Sequence, residues 1–152
     1  MNIIMWMLSS VAFFAWIFGI TLKNPFSTHA KHFGLLIVVH LVLSIAAIEL
    51  KKRGVVILRH EDSLWLREGV ALAVKSYMAL VLIVMSSFMI ALTGKGAQQM
   101  THFHKTHNAA NLHRNPLKFY LRQEPAIVWG YRLFFLVGGV YVLWAIWFRL
   151  PF

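Results

Sequence analysis

Apolar residues occur along the chain in four long runs, which are separated by shorter stretches rich in charged residues, glycine and proline. The runs cover residues 3–22, 33–50, 70–93 and 126–148. About 20 apolar residues in a helix cross a hydrocarbon core of about 30 Å, and a helix satisfies all its backbone N–H and C=O groups internally. The pattern predicts an all-α integral membrane protein, with a single domain formed by a bundle of four transmembrane helices.

Polar breaks between the runs predict where the helices begin and end. The breaks are Lys23-Asn24-Pro25, Lys51-Lys52-Arg53-Gly54, Gly94-Lys95-Gly96 and Glu124-Pro125. Residues 94–125 are polar, and we expect them to form a long loop. With four spans, the first and third loops emerge on the same face of the membrane. Six of the eight histidines then share that face, namely His29, His32, His102, His104, His107 and His113.

The composition supports a membrane protein and excludes several other classes. The 152 residues are 59% hydrophobic and only 13% charged, and 15 Lys and Arg against 5 Asp and Glu give a net charge of +10. Most of the basic residues flank the apolar runs, where they anchor helix ends and attract anionic lipids, so we expect a lipid partner and no nucleic acid. Because cysteine is absent, disulfides, thiolate-bound zinc and iron–sulfur clusters are excluded.

The distribution of Lys and Arg only weakly indicates the orientation in the membrane. Loops 1 and 3 together carry seven of these residues, whereas loop 2 carries five and Arg149 follows the last run. The compact cluster of residues 51–53 at a helix end favours a cytoplasmic loop 2, and therefore cytoplasmic N- and C-termini. A bacterial inner membrane, or an equivalent energy-transducing membrane, is the expected location.

The histidines of the shared face are candidate metal ligands. His102, His104 and His107 lie within six residues, His113 follows, and His29 and His32 come from the neighbouring loop. Imidazole nitrogen is a ligand for zinc, copper, iron and nickel. The same residues could instead belong to a solvated loop, lie at the level of the lipid headgroups, or contact a partner subunit.

His40 lies inside the second run, where an ionisable side chain is costly and usually faces the bundle interior. Met85 falls at the same depth on the third run, so the two residues are candidate haem-binding ligands. In the alternative interpretation, His40 is neutral and forms a hydrogen bond with Ser, Thr or Tyr on a neighbouring helix. Pairs of small residues, Ser9-Ser10, Ala46-Ala47, Ser86-Ser87 and Gly138-Gly139, are expected to allow close approach of helices.

Several short stretches resemble membrane proteins that handle haem or copper. Phe33-Gly34-Leu35-Leu36, Lys51-Lys52-Arg53 and Gly94-Lys95-Gly96-Ala97 are similar to the copper-resistance D-type membrane domain. Arg122-Gln123-Glu124-Pro125 before the last run resembles the related four-helix protoporphyrinogen oxidase family. The resemblance covers about half the chain and implies haem or copper as a cofactor. The first run lacks the intramembrane histidine of the oxidase family, so no catalytic residue is transferred.

Catalytic motifs such as a Walker loop, a dinucleotide-binding glycine motif, a nucleophile elbow and a zinc-binding HExxH helix are absent from the sequence. We therefore expect a non-catalytic subunit or assembly factor of a membrane redox or metal-handling system, associated with other membrane subunits. One alternative is a purely structural subunit of a larger membrane complex without its own cofactor. Another is a small component of a transporter or channel.

Overall fold

A computed structural model of the protein describes residues 2–55 and 63–150. It contains four helices, α1 (Asn2–Trp16), α2 (Phe26–Lys52), α3 (Leu64–His107) and α4 (Leu117–Phe148). A π-helical segment, Ile17–Thr21, continues α1, and a short 3-10 turn lies between α3 and α4. Within the described ranges the regular structure is all helical, as the apolar pattern predicted. Arg59, His60, Glu61 and Asp62 of loop 2 lie outside the described residues.

Four helical segments are long and apolar enough to cross a membrane. The shortest, Asn2–Thr21, has 20 residues and measures about 30 Å at 1.5 Å per residue. The second helix begins at Phe26, earlier than the expected start of its span at residue 33, so His29 and His32 lie on the helix and not in a loop. Residues 22–25 separate the π-helical segment from α2, and α2 ends at Lys52, just before Gly54 in the left-handed region with φ 72°. That backbone conformation favours glycine because it has no Cβ.

The structure corrects the expected polar loop at residues 94–125. Helix α3 continues past Gly94 and Gly96 to His107, and α4 begins at Leu117, eight residues before Pro125. A glycine costs a helix only about 1 kcal/mol relative to alanine, and the Ala, Gln, Met and Lys residues that follow are good helix formers. The Thr101 hydroxyl also donates a hydrogen bond to Glu124. The two polar helix ends thus support each other, and only residues 108–116 connect them.

The core lies between α1, α3 and α4. Phe13 and Leu143 are fully buried there, beside Ile17, Ile83 and Ile90. Between helices in a membrane such side chains stabilise the fold through close van der Waals packing, because lipid tails are as apolar as the core.

Small residues bring α1 and α4 together. The sequence led us to expect this of the pairs Ser9-Ser10 and Gly138-Gly139. A Cβ atom at Gly139 would lie 2.4 Å from the ring of Phe13, so α4 approaches α1 closely only because position 139 is glycine. Nearby, the indole N–H of Trp147 donates a hydrogen bond of 3.0 Å to the Ser9 hydroxyl. The first contact sets the distance between the helices, and the second satisfies polar groups at their interface.

Helix α2 packs at the edge of this core. Phe33 stacks on Phe88 of α3 with a ring separation of 4.3 Å. The opposite surface of α2 is apolar and exposed along most of its length, with Leu35, Val38, Leu41, Val42, Ile45 and Ile48. A continuous apolar surface of this kind is typical of contact with lipid or with another protein.

Candidate metal-binding site around His29

His29 lies in the first turns of α2 and is almost completely buried, with 1% of its surface exposed. Its neighbours are the end of the π-helical segment and the middle of α3, because its ring contacts Ser87, which in turn contacts Thr21. Short π-helical segments are rare and frequently occur at functional sites. The chain thus places a buried imidazole beside an irregular turn, which distinguishes His29 from the exposed histidines.

Three side chains form a hydrogen-bonded chain at this position. The Nδ1 atom of His29 lies 3.0 Å from the Ser87 hydroxyl, which lies 2.7 Å from the Thr21 hydroxyl. The Thr21 hydroxyl donates to the backbone carbonyl of Trp16 at 3.4 Å. Buried polar groups usually have such partners, and all three side chains are at most 5% exposed.

The direction of this chain determines which nitrogen of His29 carries the proton. The Thr21 hydroxyl has a single hydrogen and a carbonyl oxygen only accepts, so where Thr21 donates to Trp16 it accepts from Ser87. Ser87 in turn accepts from Nδ1–H of His29. The Nε2 atom of the neutral ring then carries a lone pair, and it is buried without a hydrogen-bond partner among the described residues.

His32 lies one turn further along α2 and extends the site. Its ring centroid is 6.4 Å from that of His29 and 5.7 Å from that of Trp16. The Nδ1 atom of His32 and the indole nitrogen of Trp16 are also buried without partners in the part of the chain that the structure describes. An unpaired buried polar atom costs about 1–3 kcal/mol, and this cluster contains three such nitrogens among the described residues.

The structure pairs His40 with Tyr77 of α3. Nδ1 of His40 lies 3.1 Å from the Tyr77 hydroxyl, and the two rings are nearly parallel with centroids 6.3 Å apart. This is the arrangement expected in the alternative interpretation of a hydrogen-bonded intramembrane histidine. Met85 is exposed and lies eight residues from Tyr77, which is about 12 Å along α3. The proposed pairing of His40 with Met85 as haem ligands stays a prediction.

The other candidate histidines belong to the polar end of the hairpin between α3 and α4. His102 is fifteen residues beyond Ser87 on the same helix, which places it about 22 Å away along the axis. His104 lines a cleft of about 230 Å³ with Tyr120, whereas His102, His107 and His113 are exposed. The structure therefore brings His29 and His32 together but separates them from these four histidines.

No three His, Asp or Glu residues converge on a possible metal position within residues 2–55 and 63–150. A metal bound at the His29 site would therefore take at most two imidazole ligands from the described chain. Imidazole nitrogen is a ligand that both haem iron and copper accept.

The sequence pointed to His29 and His32 but not to the residues that organise them. The sequence assigned Ser87 only to a pair of small residues, and it placed Trp16 and Thr21 within the first apolar run without a role of their own. The available signal was polarity: Thr21 and Ser87 are hydroxyl residues near the ends of two runs that must emerge on the same face. The chain matches no protein-family model, and neither a curated protein nor a solved structure is significantly similar to it.

Proposed function

We propose that the protein is a small, non-catalytic membrane subunit or assembly factor of a redox or metal-handling system, and that His29 binds haem iron or copper through Nε2. The observation that carries the proposal is this nitrogen, which is buried and has no hydrogen-bond partner within residues 2–55 and 63–150, while Nδ1 contacts the Ser87 hydroxyl. Histidine ligands of metals almost always use their second ring nitrogen in such a hydrogen bond. His32 supplies a second imidazole next to it.

The surroundings of His29 fit a redox metal better than a solvated ion. The imidazole is nearly inaccessible to water, the ring of His32 lies beside it, and the indole of Trp16 packs against His32. Exclusion of water around a ligand set controls the potential of a bound metal. Haem or copper would supply one-electron chemistry there, while the chain itself fixes the ring through Ser87 and limits access.

Purification of the protein with its native membrane partners tests this function. We expect haem bands in a reduced-minus-oxidised spectrum or stoichiometric copper in a metal analysis. His29→Ala and His29→Gln should both remove the signal by at least tenfold, because loss of the ligand nitrogen removes the coordinate bond. His107→Ala is the matched control, since His107 is exposed on the remote end of α3, and it should retain the signal.

The opposite result in this experiment would reject the proposal. If the wild-type complex contains neither haem nor copper, or if both variants of His29 keep the full signal while the protein remains folded, His29 binds no redox metal. Retention of helical content by circular dichroism separates loss of the ligand from loss of the fold.

A structural subunit without a cofactor is the second candidate function, and the exposed apolar surface of α2 favours it. Such a subunit would bury this surface against other membrane helices. The complex would then assemble and function normally with His29→Gln, whereas charged substitutions at Leu41 or Ile45 would prevent assembly. The two candidates therefore differ in which of these variants is impaired.

We further propose that the chain lies in a bacterial inner membrane with both termini in the cytoplasm. The sequence contains no cysteine, so single cysteines can report the topology directly. In intact cells we expect a membrane-impermeant maleimide to label Lys23→Cys and Lys105→Cys, but to label Val55→Cys only after the membrane is permeabilised. Labelling of Val55→Cys alone in intact cells would instead reverse the orientation.

A further inference from the structure

A cleft of about 480 Å³ opens where the connection between α1 and α2 meets α3 and α4. Lys95 of α3 and Arg132 of α4 both line it, together with the polar side chains of Asn24, Ser27 and Gln98. The two basic residues come from different helices and are 37 positions apart in the sequence. The fold, and not a local charge cluster, therefore places two cationic groups around one cavity.

No Asp or Glu of the described residues lines this cleft. Among residues 2–55 and 63–150 the one salt bridge joins Arg53 to Glu49 on α2. Glu124 lines an adjoining cleft together with Arg132 and accepts a hydrogen bond from Thr101, without a salt bridge to either cation of the cleft.

Aromatic rings hold the two cations in the cleft. The Lys95 ammonium lies 4.5 Å from the centre of the Phe26 ring, and the Arg132 guanidinium carbon lies 4.9 Å from that of Trp129. The Nε atom of Arg132 is buried, and it has no hydrogen-bond partner in the described part of the chain. Cation–π contacts fix the position of a charge without neutralising it, so both groups remain available to an anion.

The first turn of α2 adds further donors at the same place. Pro25 precedes the helix without forming a side-chain cap, and no acidic residue lies in the first turn. Phe26 and Ser27 line the cleft, and the first backbone N–H groups of a helix have no partner within that helix. The positive end of the helix dipole therefore adds to the field of Lys95 and Arg132.

We propose that this cleft binds a phosphate group. An arginine fork, an ammonium group and free helix N–H groups together match the several acceptor oxygens of phosphate. Apolar side chains of Leu22, Ile90 and Ala91 line the same cleft and suit the acyl end of a phospholipid. Lys95 lies two residues beyond the apolar run at 70–93, which corresponds to the headgroup level of a bilayer. The phosphate is therefore that of an anionic lipid headgroup or a free phosphate ion.

Binding measurements by native mass spectrometry test the site in detergent-purified protein. The probes are phosphatidylglycerol, the phosphate-free lipid dioleoylglycerol, and inorganic phosphate. The variants Lys95→Gln and Arg132→Gln are compared with Lys105→Gln. Lys105 is an exposed basic residue that lies on α3, as Lys95 does, but outside the cleft. We expect phosphatidylglycerol to bind more tightly than dioleoylglycerol, and each cleft variant to weaken that binding about tenfold.

The outcomes of this experiment separate the sources of phosphate. Weakening of phosphatidylglycerol binding by Lys95→Gln but not by Lys105→Gln supports a lipid headgroup. The same dependence with inorganic phosphate, and none with the lipid, supports a free phosphate ion. If neither probe responds to Lys95→Gln or Arg132→Gln, or if Lys105→Gln has an equal effect, the proposal is overturned. Lys95 is exposed, so its variant remains informative even if Arg132→Gln fails to fold.

Discussion

Replacement of Gly139 by alanine is expected to lower the free energy of unfolding by about 1–3 kcal/mol, which is the usual cost of overpacking a core. The added methyl carbon would lie 2.4 Å from one atom of the Phe13 ring and no more than 3.0 Å from two others. Phe13 is fully buried, so the ring has no open space into which it can move. The strain must then be relieved by separating α1 from α4.

Gly138→Ala provides the matched control for this prediction. Nothing lies within 4 Å of a Cβ atom at position 138, and alanine favours a helix by about 1 kcal/mol over glycine. We therefore expect this variant to be as stable as the wild type or slightly more stable.

Thermal unfolding and titration with a denaturing detergent measure both differences. Adding Phe13→Leu to Gly139→Ala should restore part of the lost stability, since the smaller side chain removes the overlap. Equal stabilities of the Gly138 and Gly139 variants would contradict the observed packing of α1 against α4.

The sequence predicted the helices well within the four apolar runs, because the membrane places the same physical requirement on every residue there. A helix that crosses a membrane must be apolar over its whole length, and the four runs satisfy this requirement. The requirement ends at the membrane surface. Beyond Thr93 the chain is polar, and there the sequence did not indicate that α3 continues to His107. A polar helix and a polar loop have similar compositions, and the contact between Thr101 and Glu124 links residues 23 positions apart.

The candidate site was predictable only in part, for a related reason. His29 and His32 could be identified because imidazoles are uncommon and chemically distinctive. Their separation from His102 could not be identified, because it depends on the length of α3 and not on the spacing of histidines within a loop. The role of Ser87 was also hidden, since a serine within an apolar run can equally serve close helix packing or support a buried side chain.

Ser87→Ala is expected to change the hydrogen bonding and the protonation pattern of the His29 ring, while the overall helical structure stays in place. The variant removes the acceptor for Nδ1–H, and an unsatisfied buried donor costs about 1–3 kcal/mol. If His29 binds a metal through Nε2, loss of the hydrogen bond at its other ring nitrogen should also weaken metal affinity about 10- to 100-fold. Ser86→Ala is the control, because Ser86 is buried at the adjacent position but is turned about 100° around the helix axis.

The protonation pattern of His29 can be measured directly by nitrogen-15 NMR of the metal-free protein with labelled histidine. With Thr21 donating to Trp16, the chain from Trp16 through Thr21 and Ser87 favours a neutral ring with the proton on Nδ1. In Ser87→Ala this preference should be lost, while Ser86→Ala should keep it. A proton on Nε2 of the wild-type ring, donated to the backbone carbonyl of Asn24, which is also near the ring, would contradict the assignment. That result would remove the lone pair on which metal binding by His29 depends, because a protonated nitrogen cannot coordinate a metal.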